Sequence, residues 1–180
     1  MIDLTPNLLD NYKKKPGVVG RYSCSKIYAL LRGWTSPQQY LEGEIIDFKS
    51  AKNMWLGTKK HLMIQELMPE WDQEINLVKK VKDFEVVGMA DLINDDEIID
   101  LKTSLKLIGA KPWSVHQIRL YLTIFEREKG RLMQPIWKDD KLILKELGVY
   151  SRDDDWFNKE MDKLEVIHKQ IKEYETRRNN

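Results

Sequence analysis

The chain has 180 residues, 33% of them charged and 42% hydrophobic, with a formal net charge of +1. That suits one soluble domain with a sizeable core, and so small a net charge neither demands nor forbids a nucleic-acid partner. It has no apolar run long enough to span a bilayer and no signal-peptide core in MIDLTPNLLDNYKKK, and its single cysteine, Cys24, excludes an internal disulfide or a cysteine-built zinc or iron–sulfur site.

The expected location is therefore the cytoplasm, or the host cytoplasm if the gene is viral, with no membrane partner. Lysine and arginine cluster at Lys13–Lys14–Lys15, Lys59–Lys60, Lys79–Lys80–Lys82 and Arg177–Arg178. Such runs read first as solvated faces.

In chain order, RYSCSKIYALLRGW predicts a short helix with Ser23 or Ser25 as N-cap and Gly33 as terminator. TSPQQYLEGE begins a second short piece, with Pro37 suited to its first turn. AKNMWLGTKKHLMIQELM carries Leu62, Met63, Leu67 and Met68 at helical spacing, and Pro69 stops it. INLVKKV, FEVVGMADLI and EIIDLKT predict three strands, the last two joined by the polar turn NDDE.

WSVHQIRLYLTIFEREKG reads as a helix ending near Gly130, with Val115, Ile118, Leu122 and Phe125 as a buried stripe. RLMQPIWKDDKLILKEL resembles a second hairpin turning at Asp139–Asp140, and a charged helix runs from Asp153 to Arg178. This order predicts one α/β domain over residues 1–180, with a central mixed sheet flanked by helices, an N-terminal helical region and a C-terminal helix.

Within DEIIDLKTS, Asp100 and Lys102 interrupt a strand of strong β-formers. At i and i+2 they share one face, so a carboxylate and an ammonium stand side by side. Asp91 ends the neighbouring strand, and a hairpin of this size brings both carboxylates to one end of the sheet. Two such acids repel unless one is protonated or a cation lies between them. Oxygen ligands of this kind suit Mg²⁺ or Mn²⁺, and Lys102 beside them can assist a metal-activated water and offset phosphate charge. Alone, an Asp-Leu-Lys triplet is most simply an ion pair at a sheet edge.

It is not alone. The ordered set Gly57-Thr58-x-x-His61, Gly88-x-x-Asp91, Asp100-x-Lys102 and Gln117-x-x-x-Tyr121 resembles the PD-(D/E)XK nucleases, most of all the RecB-like exonuclease branch with the Gln-x-x-x-Tyr motif. YSCSKI is similar to the Ser-x-Ser helix start of that branch, and the resemblance covers about residues 22 to 138. It implies a restriction-endonuclease-like fold. It also implies His61, Asp91, Asp100 and the Leu101 carbonyl as metal ligands, and Lys102 as the catalytic lysine acting with Asp91 and Asp100. Glu66 would be a supporting acid, and Gln117 and Tyr121 would position DNA.

His61 and Glu66 lie about 140° apart around a helix, so they do not point squarely at one ion. Taken without the motifs, His61 is a surface histidine, Glu66 a solvated glutamate, and Gln117 with Tyr121 the boundary of a helix core. Nucleases of CRISPR adaptation in this branch hold an iron–sulfur cluster through four cysteines. Ser36-Pro37 stands here where they carry Cys-Pro, so no cluster is expected. Cys24 is then an apolar filler or an exposed thiol.

The expected function is a Mg²⁺- or Mn²⁺-dependent DNA nuclease, an exonuclease in DNA processing, recombination or repair, acting on single strands or duplex ends. The alternatives are an inactive nucleic-acid-binding or assembly module of the same fold, an endonuclease, or an enzyme directed at RNA. Homo-oligomerisation or a protein partner in a DNA-processing complex stays open. Six tryptophans suggest base stacking on single strands. Of these, Trp55, Trp71, Trp113, Trp137 and Trp156 read as core or boundary residues, and Trp34 is left open. His116 and His168 have no motif context and read as incidental.

Overall fold

The computed structural model describes residues 5–12, 15–43, 46–103, 109–139 and 141–179. Its organising element is β3 (Phe84–Ile93), whose alternation buries Phe84, Val86 and Ala90 on one face. Along one edge β3 pairs antiparallel with β2 (Asp72–Val81) over its whole length. The other edge is shared: β1 (Arg21–Ser23) runs parallel to it at Glu85, Val86 and Val87, and β4 (Glu97–Leu101) runs antiparallel at Leu92 and Ile93. Between those two contacts no strand among the described residues lies along the edge of β3. The mixed sheet continues through β5 (Lys129–Lys138), parallel to β4, and β6 (Lys141–Ser151), antiparallel to β5.

Helices cover both faces. α2 (Cys24–Leu31), α5 (Pro112–Ile124) and α6 (Asp154–Asn179) supply Ile27, Leu30, Ile118, Leu122, Phe157 and Leu164 to the main core. α4 (Phe48–Glu66) sets Ile64 into a smaller core with Leu92, Ile99, Leu101 and Met133. α1 (Thr5–Tyr12) precedes these, and α3 (Pro37–Glu42) has a full capping box between Ser36 and Gln39, with Pro37 in its first turn. This restriction-endonuclease-like α/β arrangement matches the fold expected from the sequence. No helix among the described residues is long and apolar enough to cross a membrane.

Two elements depart from the expected pattern. RYS, read as the start of a helix, is the short strand β1, because Tyr22 is fully buried against β3 and the chain becomes helical only at Cys24. Ser23 is the N-cap of α2, and its hydroxyl bonds that of Ser25 rather than the helix. α5 ends at Ile124, well short of Gly130. Glu126 takes the left-handed conformation (φ 55°), and the Arg127 N–H reaches back to the Leu122 carbonyl, a Schellman closure made without glycine. The Arg127 guanidinium then donates to the carbonyls of Asn94 and Phe125.

The two histidines without motif context are structural. His168 is fully buried, hydrogen-bonded with Tyr22 at 2.7 Å and beside Asp83 at 3.2 Å. His116 pairs with Glu160 at 2.9 Å under the start of α6. Cys24 is buried in the main core, which pushes its thiol well above the ordinary range and fits the filler reading. At the second hairpin the turn includes Asp139 with φ 49°, and Asp140 lies outside the described residues.

Candidate active site

The site forms where β3 and β4 part. Their pairing stops at Leu92–Ile99, so the next two opposed residues are Asp91 and Asp100. The Asp91 side chain fills the gap: its Oδ2 accepts the Leu101 backbone N–H at 2.7 Å. Oδ1 of the same carboxylate lies 3.4 Å from His61 Nδ1 on α4. Gly57, one turn before His61, lets α4 come close to the end of β4, since a Cβ there would stand 3.0 Å from Thr103 Oγ1.

Asp100 is 3% exposed. Lys102 Nζ forms an ion pair with its Oδ2 at 2.5 Å, and among the described residues that oxygen has no partner besides this contact. Burial pushes the Asp100 carboxyl up to about 6; Lys102 opposes that, and the charge of Asp91 adds to it. Burial pulls the His61 imidazole down, but hydrogen bonding and charge from Asp91, with further charge from Asp100, carry it above its ordinary value.

A relay of side chains fixes Lys102 from the other side. Its Nζ donates to Gln117 Oε1 at 3.2 Å, and Gln117 Nε2 donates to Tyr121 Oη at 2.5 Å. Gln117 and Tyr121 are one turn apart on α5. Burial, with the charge of Asp100, holds the Tyr121 hydroxyl well above the usual phenol range, so it stays neutral. Gly88 leaves room for the ring: a Cβ would meet Phe125 at 2.9 Å and Tyr121 at 3.3 Å. The four motifs thus meet around one junction, with each glycine at a close approach.

Glu66 is the exception. It is exposed at the end of α4 and makes no bond to Asp91, Asp100 or Lys102. Its neighbour Gln65 is buried instead and donates from Nε2 to the Asp91 backbone carbonyl at 3.1 Å. Helical geometry held the signal: Gln65 is four residues from His61, about 40° around the helix, whereas Glu66 is about 140° away. Glu74 was also missed. It stands opposite Asp91 on β2, outside the paired register and with φ 50°. It lines an open cleft of about 510 Å³ together with Thr58, His61, Met89, Asp91 and Thr103. Strand periodicity gives no hint of that left-handed residue.

Among the described residues no three His, Cys, Asp or Glu side chains group closely enough to cage a metal ion. His61 and Asp91 meet, and Asp91 and Asp100 interact across the β3–β4 gap, as a sparser set.

No family model matches the chain, and no curated protein does. Solved structures do. An alkaline exonuclease, LHK-Exo from Laribacter hongkongensis, superposes with a TM-score of 0.63 at 13% identity, over 97% of this chain and 98% of that one. The fold is one that this exonuclease shares. LHK-Exo in complex with dAMP gives a TM-score of 0.64 at 15% identity, over 89% and 94% of the two chains. SSO0001 gives 0.63 at 19% identity, over 91% and 84%.

Proposed function

We propose that this chain is a divalent-metal-dependent deoxyribonuclease of the RecB-like branch, acting as an exonuclease in DNA processing, recombination or repair. One observation carries the reading. A buried carboxylate, Asp100, whose Oδ2 is met only by an ion pair, sits between a second acid and a lysine that is itself held by Gln117 and Tyr121. Burying charge this way costs stability unless a ligand uses it. Likeness of fold to LHK-Exo, which has been seen with dAMP, supports DNA as the substrate.

The donors fit Mg²⁺ or Mn²⁺, which keep several waters and need only one or two carboxylates. Asp91, through the Oδ1 that faces His61, and Asp100 would offer carboxylate oxygens, and His61 and the Leu101 carbonyl would complete the protein's share. A bound ion would supply charge against the scissile phosphate and a more acidic water.

The chain's own residues do the rest. The Leu101 N–H fixes the rotamer of Asp91, and Gln65 fixes the strand carbonyl behind it. Gln117 holds the Lys102 ammonium beside Asp100, where it can orient the attacking water and offset charge building on the phosphate. Tyr121, neutral, keeps the Gln117 amide in the orientation that presents Oε1 to the lysine.

The test is incubation of end-labelled single-stranded and duplex DNA with Mg²⁺, with Mn²⁺ and with chelator. Metal-dependent cleavage that disappears in folded Asp100→Ala and Lys102→Ala supports the reading. Cleavage that survives both substitutions overturns the roles of these residues, and DNA binding without metal-dependent cleavage overturns the enzyme.

A further inference from the structure

Two tryptophans stand open to solvent, one of them a single helical turn from Gln117, on hydrogen-bonded backbone. Trp34 is 63% exposed and Trp113 47% exposed, and their rings meet edge to face at 6.4 Å. Neither sits on a loose loop. α2 closes through Gly33 in the left-handed conformation (φ 68°), and the Trp34 N–H returns to the Ala29 carbonyl at 2.8 Å. Tyr28 braces the Trp34 ring from below at 5.3 Å. Trp113 lies in the first turn of α5, four residues before Gln117 and on the same face of that helix. The line Trp113–Gln117–Tyr121 therefore runs from the aromatic pair to the residue that grips Lys102, with about 5.4 Å per turn.

The surroundings suit a polyanion. Arg32 is exposed, packs over the Tyr28 ring at 5.3 Å, and makes no ion pair among the described residues. Lys111, also exposed, immediately precedes α5. A shallow pocket of about 310 Å³ opens between Arg32 and α5, and buried in its wall is His116, whose Nδ1 has no hydrogen-bond partner. Exposed rigid aromatics combined with free cationic groups are what single-stranded nucleic acid uses, because every base offers a face to stack on.

We infer that Trp34 and Trp113 form a stacking platform for an unpaired nucleobase of the DNA strand, with Arg32 on its phosphate backbone. This rests on the nuclease reading for the identity of the strand. It adds that the enzyme holds at least one base out of the duplex, one turn of α5 away from the glutamine that grips Lys102, and so favours single strands or frayed ends.

The experiment compares binding of a short fluorescent oligothymidylate with that of an equally long, equally charged oligomer carrying abasic positions, in chelator so that nothing is cut. Wild type should prefer the base-bearing strand about tenfold or more. Trp34→Ala/Trp113→Ala should lose that preference while still binding through charge, and Trp34→Phe/Trp113→Phe, checked for native circular dichroism, should keep most of it. Equal wild-type affinity for the two oligomers overturns the platform, as does a preference that persists in the double alanine variant. Parallel cleavage assays with Mg²⁺ separate the two ideas. Base preference without cleavage refutes the nuclease and keeps the platform, whereas cleavage without base preference refutes the platform alone.

Discussion

Asp91 serves two purposes that substitution can pull apart. Its Oδ2 satisfies the Leu101 N–H at 2.7 Å in a place where the strand ladder has ended, and its charge adds to that of Asp100. Asp91→Ala removes a charge-assisted hydrogen bond of about 1.5–3 kcal/mol and leaves a buried donor unpaired. Relief of the repulsion with Asp100 returns part of this, so the net loss in chelator is about 2 kcal/mol. For a chain of this length that is a fall in Tm of about 4–8 °C. Asp91→Asn keeps an oxygen for the Leu101 N–H and gives up only the charge, so its loss stays within about 1 kcal/mol. Thermal unfolding in chelator should then rank wild type and Asp91→Asn together, with Asp91→Ala below. Added Mg²⁺ should raise the Tm of wild type by mass action and leave both variants unmoved. Both variants should fail to cut DNA. The reasoning is refuted if Asp91→Ala is as stable as wild type in chelator, or if Asp91→Asn retains cleavage.

Gln65→Leu should cost about 1–3 kcal/mol in urea unfolding, because the Asp91 carbonyl loses its donor, and should lower cleavage; Glu66→Gln should change neither. Gly88→Ala drives a methyl into Phe125 and Tyr121. A loss of about 1–3 kcal/mol is expected, and with Tyr121 displaced, cleavage should fall more than the folded fraction measured by circular dichroism. Burial holds the His116 imidazole below its ordinary value of 6.5, against the pull of Glu160. The unfolded chain therefore binds that proton first, and the contribution of His116 to stability should drop as pH falls from 6.5 towards the lowered native value, by at most about 1.4 kcal/mol per pH unit. Asp100 and His61, both held above their ordinary values, slope the other way, so the measure is the difference in urea midpoint: wild type should lose stability relative to His116→Gln as pH falls below 6.5.

Much of the fold was legible because its elements are locally consistent. Strand alternation in β3 and Pro37 in the first turn of α3 each point to the conformation found, and α4 is a helix as its spacing suggests, though Leu62, Met63 and Leu67 lie exposed and Ile64 is the large apolar residue it buries. β1 was not legible: three residues carry no period, and Tyr22 enters a strand because of β3, far along the chain. The end of α5 was misjudged for a related reason. A glycine was expected at the stop, but the left-handed residue is Glu126, held by the Arg127 contacts to Asn94 and Phe125.

At the site, His61, Asp91, Asp100, Lys102, Gln117 and Tyr121 could be picked out from motif order. What joins them, the Asp91–Leu101 bond and the Lys102–Gln117–Tyr121 relay, depends on where two strands separate. Gln65 shows the limit well. Its spacing from His61 puts it on the right face of α4, but its hydrogen bond to the Asp91 carbonyl depends on where β3 lies.

The separation of β3 from β4 has a mechanical side as well. Among the described residues only two paired backbone positions and the Asp91–Leu101 bond link strand β3 to β4, while β2–β3, β4–β5 and β5–β6 are each paired over a longer run. This short zipper is the natural fracture line of the sheet, and Asp91 and Asp100 face each other across it. A cation shared by the two would act as a rivet between the halves, and amide exchange of Leu92, Ile98 and Leu101 would slow once it is in place.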